Sequence, residues 1–271
     1  MKIWPTVSKE QCLSRLRKDV SAWNDLRTSA DLTGTSFANA RLHGADLSWA
    51  NLTHLDFSGS DLGDADLRGA DLHFCNLSGA NLQSADLRGA SLQGATLREA
   101  NLSFSQLQGA NFARADLSQI TLRGADLSYA VLRGTYCSFS DFSEADLTWA
   151  DMNSANLSNS TFYKTVFTDA TLAQANLAHA NFNLALLDNT DLDEAFLHDT
   201  IFAALDLCGA KNLGTVQHDP SSILSIGTDT LLNTLRSSGG MYSPELEVFF
   251  SRGGVSIDML ASIRPVSAAA S

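Results

Sequence analysis

The side chains best suited to acid–base or metal chemistry are six histidines, and their spacing matches no catalytic or metal-binding motif. They are His43, His54, His73, His179, His198 and His218. No pair shows the H-x-x-x-H spacing that places two imidazoles on one face of a helix. Neither G-x-x-x-x-G-K-[ST] nor a G-x-G-x-x-G that opens a helix after a strand is present. We therefore predict a protein without enzymatic activity, without a cofactor and without a metal site.

Any functional side chain must be positioned by a five-residue repeat that runs from Ala30 to Leu207. Starting at Leu32, every fifth residue is large and apolar, and the 36 positions hold 26 Leu, 8 Phe, Met152 and Cys137. We call this the central position. Two residues earlier is the small position, Ala in 23 of the 36 units, and between them is the Asx position, usually Asp or Asn. The two residues that follow the central position are called the first and second corner positions. A period of five fits neither a helix nor a strand and predicts stacked repeats that share one core.

The phenylalanines predict that four units complete one coil. Phe142, Phe162, Phe182 and Phe202 are twenty residues apart, as are Phe37 and Phe57. In a four-sided coil each set forms a stack of rings inside one side, an arrangement that favours this register. His54 and His73 are then expected to approach each other on adjacent coils as two ordinary surface imidazoles without a carboxylate.

The four cysteines predict core residues rather than a disulfide framework. Cys12, Cys75, Cys137 and Cys208 show no C-x-x-C spacing, and Cys75 takes a small position and Cys137 a central one. The chain starts with no apolar run of signal-peptide length, and no stretch reaches the ~18 apolar residues of a membrane span. We therefore expect a cytoplasmic protein in a reducing compartment, without membrane contact.

The repeat resembles the A-(D/N)-L-x-x consensus of the pentapeptide-repeat family. Units that resemble it closely are Ala65-Asp66-Leu67-Arg68-Gly69 and Ala80-Asn81-Leu82-Gln83-Ser84. The resemblance covers about two thirds of the chain. It implies an all-β solenoid, a right-handed quadrilateral β-helix, of about nine coils with roughly 4.8 Å per coil. The predicted domains are an N-terminal capping helix (1–29), the β-helix (30–211) and a C-terminal helical cap or dimerisation segment (212–271).

The net charge of −12 is unevenly distributed and bears on the partner. Residues 1–30 carry +3, residues 31–140 carry −4 and residues 141–210 carry −10. Phosphate binding needs clustered Lys and Arg, so nucleic acid is not expected as a direct ligand. A protein partner with a basic surface is expected instead. The alternative is that the acidic residues only keep a long sheet soluble.

Stacking the chain at twenty residues predicts two neighbouring columns. The acidic column contains Asp46, Asp66, Asp86, Asp126 and Asp146 and is interrupted by Gln106. Arg68 and Arg88, two residues beyond Asp66 and Asp86, are expected to neutralise it in part. The aromatic column contains Trp49, Tyr129 and Trp149, with Gly69, Gly89 and Gly109 between them. Exposed aromatic side chains beside carboxylates are typical of a protein interface, although these rings could also shelter against the neighbouring corner. Predicted partner-binding residues are the members of both columns with Asp188, Asp191, Asp193, Glu194 and Asp199.

Both flanks are predicted to be helical. Ser8 and Gln11 form a capping box for one N-terminal helix, whose stripe of Cys12, Leu13, Leu16, Val20, Trp23 and Leu26 is expected to cover the first coil. After Leu207 the pattern ends. Three short helices are then predicted, with Asp229, Ser243 and Ser256 as caps, and they end at Arg236, Arg252 and Ile263.

The C-terminal segment is more apolar than an end cap requires. Its large side chains are predicted either to plug the last coil or to form a two-fold interface, and we predict a homodimer through Leu246, Phe249, Phe250, Met259 and Leu260. Residues 222–231 and 247–255 also resemble the linker that precedes TIR domains in some bacterial pentapeptide-repeat proteins. The sequence contains no TIR domain, so we expect no NAD-cleaving activity from it.

Two functions follow from these resemblances. In the first, the rod mimics duplex DNA and binds a type II topoisomerase, gyrase or topoisomerase IV, which it inhibits or protects. The acidic residues 141–210 favour this function, and the absence of any loop that interrupts the repeat weakens it. In the second, the rod is a scaffold or sensor in a bacterial signalling or defence assembly, as the TIR-linker resemblance implies.

Overall fold

The repeat region folds as a four-sided parallel solenoid. The computed structural model describes residues 9–29, 35–219, 224–239 and 241–263. Asx-position residues pair in parallel with the residue twenty positions further on, from Ser36 with Asp56 to Asp191 with Lys211. Four units therefore complete one coil, which confirms the prediction from the phenylalanine spacing.

Each side of the coil ends in a tight turn over the two corner positions. In the unit centred on Leu47, the amide of Ala50 donates to the carbonyl of Leu47 at 3.1 Å. The second corner residue, Trp49, has a φ of 61°, and even Glu99 and Lys164 adopt a φ of 59° and 56° there. A positive φ at the third residue of a turn is typical of a type II turn and favours Gly or Asn. The stacked coils hold bulkier residues in this conformation at some cost.

The preference for Asp and Asn at the Asx position has a local cause. The side-chain oxygen accepts the backbone amide of the first corner residue, as from Ser48 to Asp46 at 3.1 Å and from Thr53 to Asn51 at 3.2 Å. This is an Asx turn, which both residues form. The fold therefore requires the oxygen and does not require its negative charge.

Central and small positions form one continuous core. Every central residue from Phe37 to Leu207 is at most 2% exposed. The predicted stack of Phe142, Phe162, Phe182 and Phe202 is present, with centroids 4.9–5.3 Å apart. Where a hydroxyl replaces Ala, it donates to a backbone carbonyl, as from Thr165 to Phe142 at 2.7 Å. Cys75 and Cys137 lie in this core as predicted, and burial raises the pKa of Cys137 to about 12.

The N-terminal flank forms two helices rather than the predicted one. They are α1 (Lys9–Lys18) and α2 (Val20–Ser29). Asp19 separates them, and its carboxylate accepts the amide of Ala22 at 3.1 Å, which caps α2. Trp23 of α2 is fully buried, lies 5.8 Å from Phe37 and donates from Nε1 to the carbonyl of Asn51 at 2.9 Å. Ser8 of the predicted capping box lies outside the described residues.

Strand pairing continues beyond residue 211, where the sequence pattern has already ended. Strand β1 (Phe196–Leu197) pairs in parallel with β3 (Gln217–His218), and β2 (Ile201–Phe202) pairs in parallel with β4 (Ser225–Ile226). The offsets are 21 and 24 residues instead of 20. Because of these extra residues, the strand pairing that continues past residue 211 does not follow the five-residue spacing. The boundary predicted at 211 therefore falls inside the paired region.

Three helices follow, as predicted: α3 (Thr228–Ser237), α4 (Pro244–Arg252) and α5 (Ile257–Ile263). Ser243 caps α4 by accepting the amide of Leu246 at 3.2 Å, and Ser256 accepts the amide of Met259 at 3.1 Å. The predicted cap by Asp229 is wrong, because α3 starts after Gly227 and Asp229 lies in its first turn. Among the described residues, no helix is long and apolar enough to cross a membrane.

Candidate protein-binding face

The predicted acidic column exists as one ladder of paired residues. Asp46 pairs with Asp66, Asp66 with Asp86, and the ladder continues through Gln106 to Asp126 and Asp146. Successive members are about 4.8 Å apart because they lie on neighbouring parallel strands. The same ladder continues into Val166 and Leu186, so it changes from acidic to apolar along the rod. We call the side of the rod that carries this ladder the acidic face.

Aspartate is concentrated on this face. The acidic face has Asp at six of the nine Asx positions from 46 to 206. The ladders that start at residues 51, 36 and 41 have only three, two and two. Since Asn forms the same Asx turn, the fold does not explain this concentration. The turn alone therefore does not select Asp over Asn on this face.

Arginine neutralises only the middle of the column. Arg68 lies 2.5 Å from Asp66 and 3.7 Å from Asp86, and Arg88 lies 2.6 Å from Asp86. Hydrogen bonds from Arg68 and Arg88 hold the pKa of Asp66 and Asp86 below their ordinary value. The other carboxylates, those of Asp46, Asp126 and Asp146, make no ion pair within the described part of the chain.

The aromatic column lies beside these carboxylates and remains accessible. Trp49, Tyr129 and Trp149 are 75%, 63% and 53% exposed. Trp49 also packs on the next coil, because a Cβ added to Gly69 would lie 2.5 Å from its ring. Phe74 over Gly94 and Phe104 over Gly124 show the same arrangement on other sides. Sheltering against the neighbouring corner therefore occurs at Trp49, and it leaves most of the ring available.

Four of the five other predicted partner-binding residues lie on other sides of the rod. Asp188 lies on the acidic face, whereas Asp191, Asp193 and Glu194 lie on the next side of the coil and Asp199 on the one after. Three of them accept hydrogen bonds: Asp193 from Thr215 at 2.8 Å, Glu194 from Gln174 at 3.0 Å and Asp191 from Asn212 at 2.8 Å. The acidic residues of the C-terminal half therefore surround the rod.

Most of the predicted dimerisation residues are buried within the chain. Leu246, Phe249, Phe250 and Leu260 are at most 5% exposed, and only Met259, at 37%, has substantial free surface. The ring of Phe249 lies 5.9 Å from that of Phe202, at the end of the phenylalanine stack. These four side chains are therefore packed within the chain and are not free to form an interface.

The prediction of no metal site overlooked one cluster. His179, His198 and Asp199 bring one ligand atom each to within 4.8 Å of one another. The sequence could have indicated this cluster. Residues 179 and 199 are twenty positions apart, so they lie at the same corner of adjacent coils, and residue 198 is the other corner residue of the unit that contains Asp199. The expectation that His54 and His73 lack a carboxylate was also wrong for His73, whose Nδ1 lies 2.5 Å from Asp71.

A parallel solenoid with a constant apolar interior and outward side chains that vary from coil to coil is the structure of a repeat protein. The family model for pentapeptide repeats matches in eight copies between residues 30 and 202, and the chain belongs to that family. Its fold is accordingly the right-handed β-helix. Families of this kind are generally structural or protein-binding rather than catalytic.

Solved structures include similar chains. HetL, a pentapeptide-repeat protein involved in heterocyst differentiation regulation from the cyanobacterium Nostoc sp. strain PCC 7120, is 30% identical with a TM-score of 0.63. The match covers 72% of this chain and 83% of HetL. The plasmid-mediated fluoroquinolone resistance protein QnrB1 is 19% identical over 62% of this chain and 92% of its own, with a TM-score of 0.46. No curated protein matches the sequence significantly.

Proposed function

We propose that this protein is a non-catalytic rod whose acidic face binds the basic surface of a partner protein. The observation that supports this most directly is the concentration of Asp at Asx positions where Asn would fold equally well. Exposed aromatic side chains beside the carboxylates supply apolar contact area of the kind that dominates binding energy. The carboxylates orient the basic partner and speed its association by electrostatic attraction. This attraction weakens as the salt concentration rises.

A type II topoisomerase, gyrase or topoisomerase IV, is the first candidate partner. Such an enzyme has a basic cleft that holds DNA, and a stiff acidic rod would be attracted to it electrostatically. The net charge of −10 over residues 141–210, arranged around the rod, supports a duplex-like surface.

A regulatory or defence scaffold is the second candidate. The observation that favours it is the likeness to HetL, a protein involved in differentiation regulation. In this case the acidic face would bind another protein of a signalling assembly, and no topoisomerase activity would change.

The proposed face is tested by a pair of triple variants. Asp46, Asp126 and Asp146 are changed to Asn in one protein, and Asp61, Asp116 and Asp141 in the control. Both lose three charges at Asx positions and keep the Asx-turn oxygen. Proteins captured from the native host on each variant are compared with those on the wild type. The proposal requires that the first variant loses a salt-sensitive partner that the control retains; equal retention by both would exclude the acidic face.

The two candidate partners are separated with purified gyrase from the same host. We expect the wild type to inhibit supercoiling or to protect the enzyme from cleavage-complex formation. Neutralising Asp188, Asp191, Asp193 and Glu194 should weaken that effect. If neither protein changes supercoiling or cleavage while the acidic-face partner is still captured, the scaffold function replaces the topoisomerase.

We further propose that the helical flanks close the two ends of the coil, and that the C-terminal segment dimerises through its exposed side chains. Burial of Trp23 at one end and Phe249 at the other supports the first part. Met241, Val248 and Met259, which are 74%, 43% and 37% exposed, are apolar side chains of the described C-terminal segment that are available for a two-fold contact. Light scattering should give twice the chain mass, and Val248→Asp with Met259→Asp should halve it without unfolding. A wild-type monomer would refute dimerisation.

A further inference from the structure

Two adjacent coils bring a pair of histidines and a carboxylate together near the C-terminal end of the rod. His179 is the second corner residue of one coil, and His198 and Asp199 are the two corner residues of the next. The amide of His179 donates to the carbonyl of His198 at 2.6 Å, which fixes the two backbones. The imidazole centroids are 4.9 Å apart with the rings nearly perpendicular, at 87°.

The three side chains each bring one ligand atom to within 4.8 Å of the other two. Oδ2 of Asp199 lies 3.5 Å from Nε2 of His198 and 3.8 Å from Nδ1 of His179. Ligands about 2.1 Å from a tetrahedral zinc ion are separated by about 3.4 Å, so small side-chain rotations would complete the geometry. His179 and Asp199 are exposed and His198 is half-buried, which leaves an open approach for the ion and for a water molecule as fourth ligand.

A fourth side chain is placed to orient His198. Oδ2 of Asp219 lies 3.1 Å from Nδ1 of His198, a buried nitrogen that has no aligned hydrogen bond within the described residues. The amide of Asp219 donates to the carbonyl of Leu197 at 3.1 Å, which holds the carboxylate beside the ring. A histidine that binds a metal commonly turns its other nitrogen to a carboxylate, and this leaves Nε2 free for the ion.

We propose that His179, His198 and Asp199 bind one zinc ion and that Asp219 positions His198 for it. Two imidazoles with a carboxylate suit zinc, whereas magnesium and calcium prefer oxygen ligands alone. The acidic surroundings of residues 141–210 raise the local concentration of cations. The ion would join two coils and, through Asp219, the segment that follows β3.

Isothermal titration of the full chain with zinc, after chelator treatment, tests the site. We expect one zinc per chain and at least a tenfold loss of affinity in His179→Gln, His198→Gln and Asp199→Asn. Native units carry Gln174, Gln93 and Asn159 at the equivalent corner positions, so these variants should fold, and circular dichroism checks this. The matched controls are His43→Gln and His54→Gln, which change the same two corner positions elsewhere on the rod.

Asp219→Asn distinguishes positioning from direct binding. It should retain one zinc per chain with a roughly 10- to 100-fold weaker affinity. Zinc should also raise the melting temperature of the wild type and of both controls, but not that of His198→Gln. The proposal is overturned if the wild type binds no zinc at micromolar concentration, or if the controls lose as much affinity as the cluster variants.

Discussion

The inward and outward positions of each five-residue unit differ in what they tolerate. Central positions from Phe37 to Leu207 are apolar and at most 2% exposed, without exception. The second corner position, two residues away, holds Trp49, Gly89, Lys164 or Glu194 on almost the same backbone. The comparison shows that a shared interior fixes the fold while the corners are free to vary. Residues that determine function are therefore expected among the outward positions, where one corner or one side of the coil differs from another.

The largest expected effect is a charge placed inside this interior. Leu92→Asp buries an unpaired carboxylate in a fully enclosed site and should destabilise the fold by more than ~4 kcal/mol. Gln93→Asp, one residue later and partly exposed, should change the melting temperature little. A one-residue insertion after Leu92 should be as damaging as the first substitution. Thermal unfolding measures the melting temperature of each variant. Similar melting temperatures for the two substitutions would show that the inward and outward positions of the repeat are wrongly assigned.

The next effect tests whether the C-terminal helices share the interior. Phe249 is fully buried at the end of the phenylalanine stack, so Phe249→Ala should cost about 3–5 kcal/mol. Val248→Ala, at a neighbouring position that is 43% exposed, should cost far less. Urea unfolding measures both. Equal costs would mean that α4 does not pack on the coil as described.

A smaller effect separates backbone strain from aromatic packing at the corners. Gly69 and Gly89 have nearly the same φ, 61° and 65°, but only at Gly69 would a Cβ meet Trp49. Alanine in this left-handed conformation costs about 1–2 kcal/mol at either site. Gly69→Ala should cost more than Gly89→Ala and should shift tryptophan emission, because the ring must move. Identical stabilities and spectra would contradict the packing of Trp49 on Gly69.

The smallest effect concerns the arginine-paired carboxylates. The pKa values of Asp66 and Asp86 are lowered in the folded state, so their stabilisation is present above the ordinary value of 3.8 and is lost as the pH falls below it. Exposed pairs of this kind contribute little. Replacing both residues with Asn should slightly flatten the fall of the melting temperature at acidic pH. An unchanged acid profile would show that these pairs contribute nothing to stability.

The repeat could be predicted from the sequence because each position has one dominant constraint. Burial keeps Leu at the centre, close packing keeps Ala at the small position, and the Asx turn keeps Asp or Asn between them. Four units per coil followed from the phenylalanines alone. The pairing of β3 and β4 could not be predicted, because one and four extra residues break the count while the backbone bonds continue.

The ends and the candidate sites were less predictable for a different reason. Asp19 divides the N-terminal helix, although its apolar stripe passes through without interruption. The column of carboxylates and its partial neutralisation by Arg68 and Arg88 were both predicted from the spacing, but the approach of Arg68 to Asp86 on the next coil depends on side-chain conformation. The cluster of His179, His198 and Asp199 shows the opposite case, in which the same spacing applied to every histidine would have indicated the site.

Because every coil repeats the same pairing, the distance between the two helical ends is a multiple of one layer. Adding or removing twenty residues would lengthen or shorten the rod by about 4.8 Å and leave both ends unchanged. A gene that encodes such a chain can therefore adjust a molecular ruler in equal steps by duplicating sixty nucleotides, and each step adds four new corners without altering the older ones.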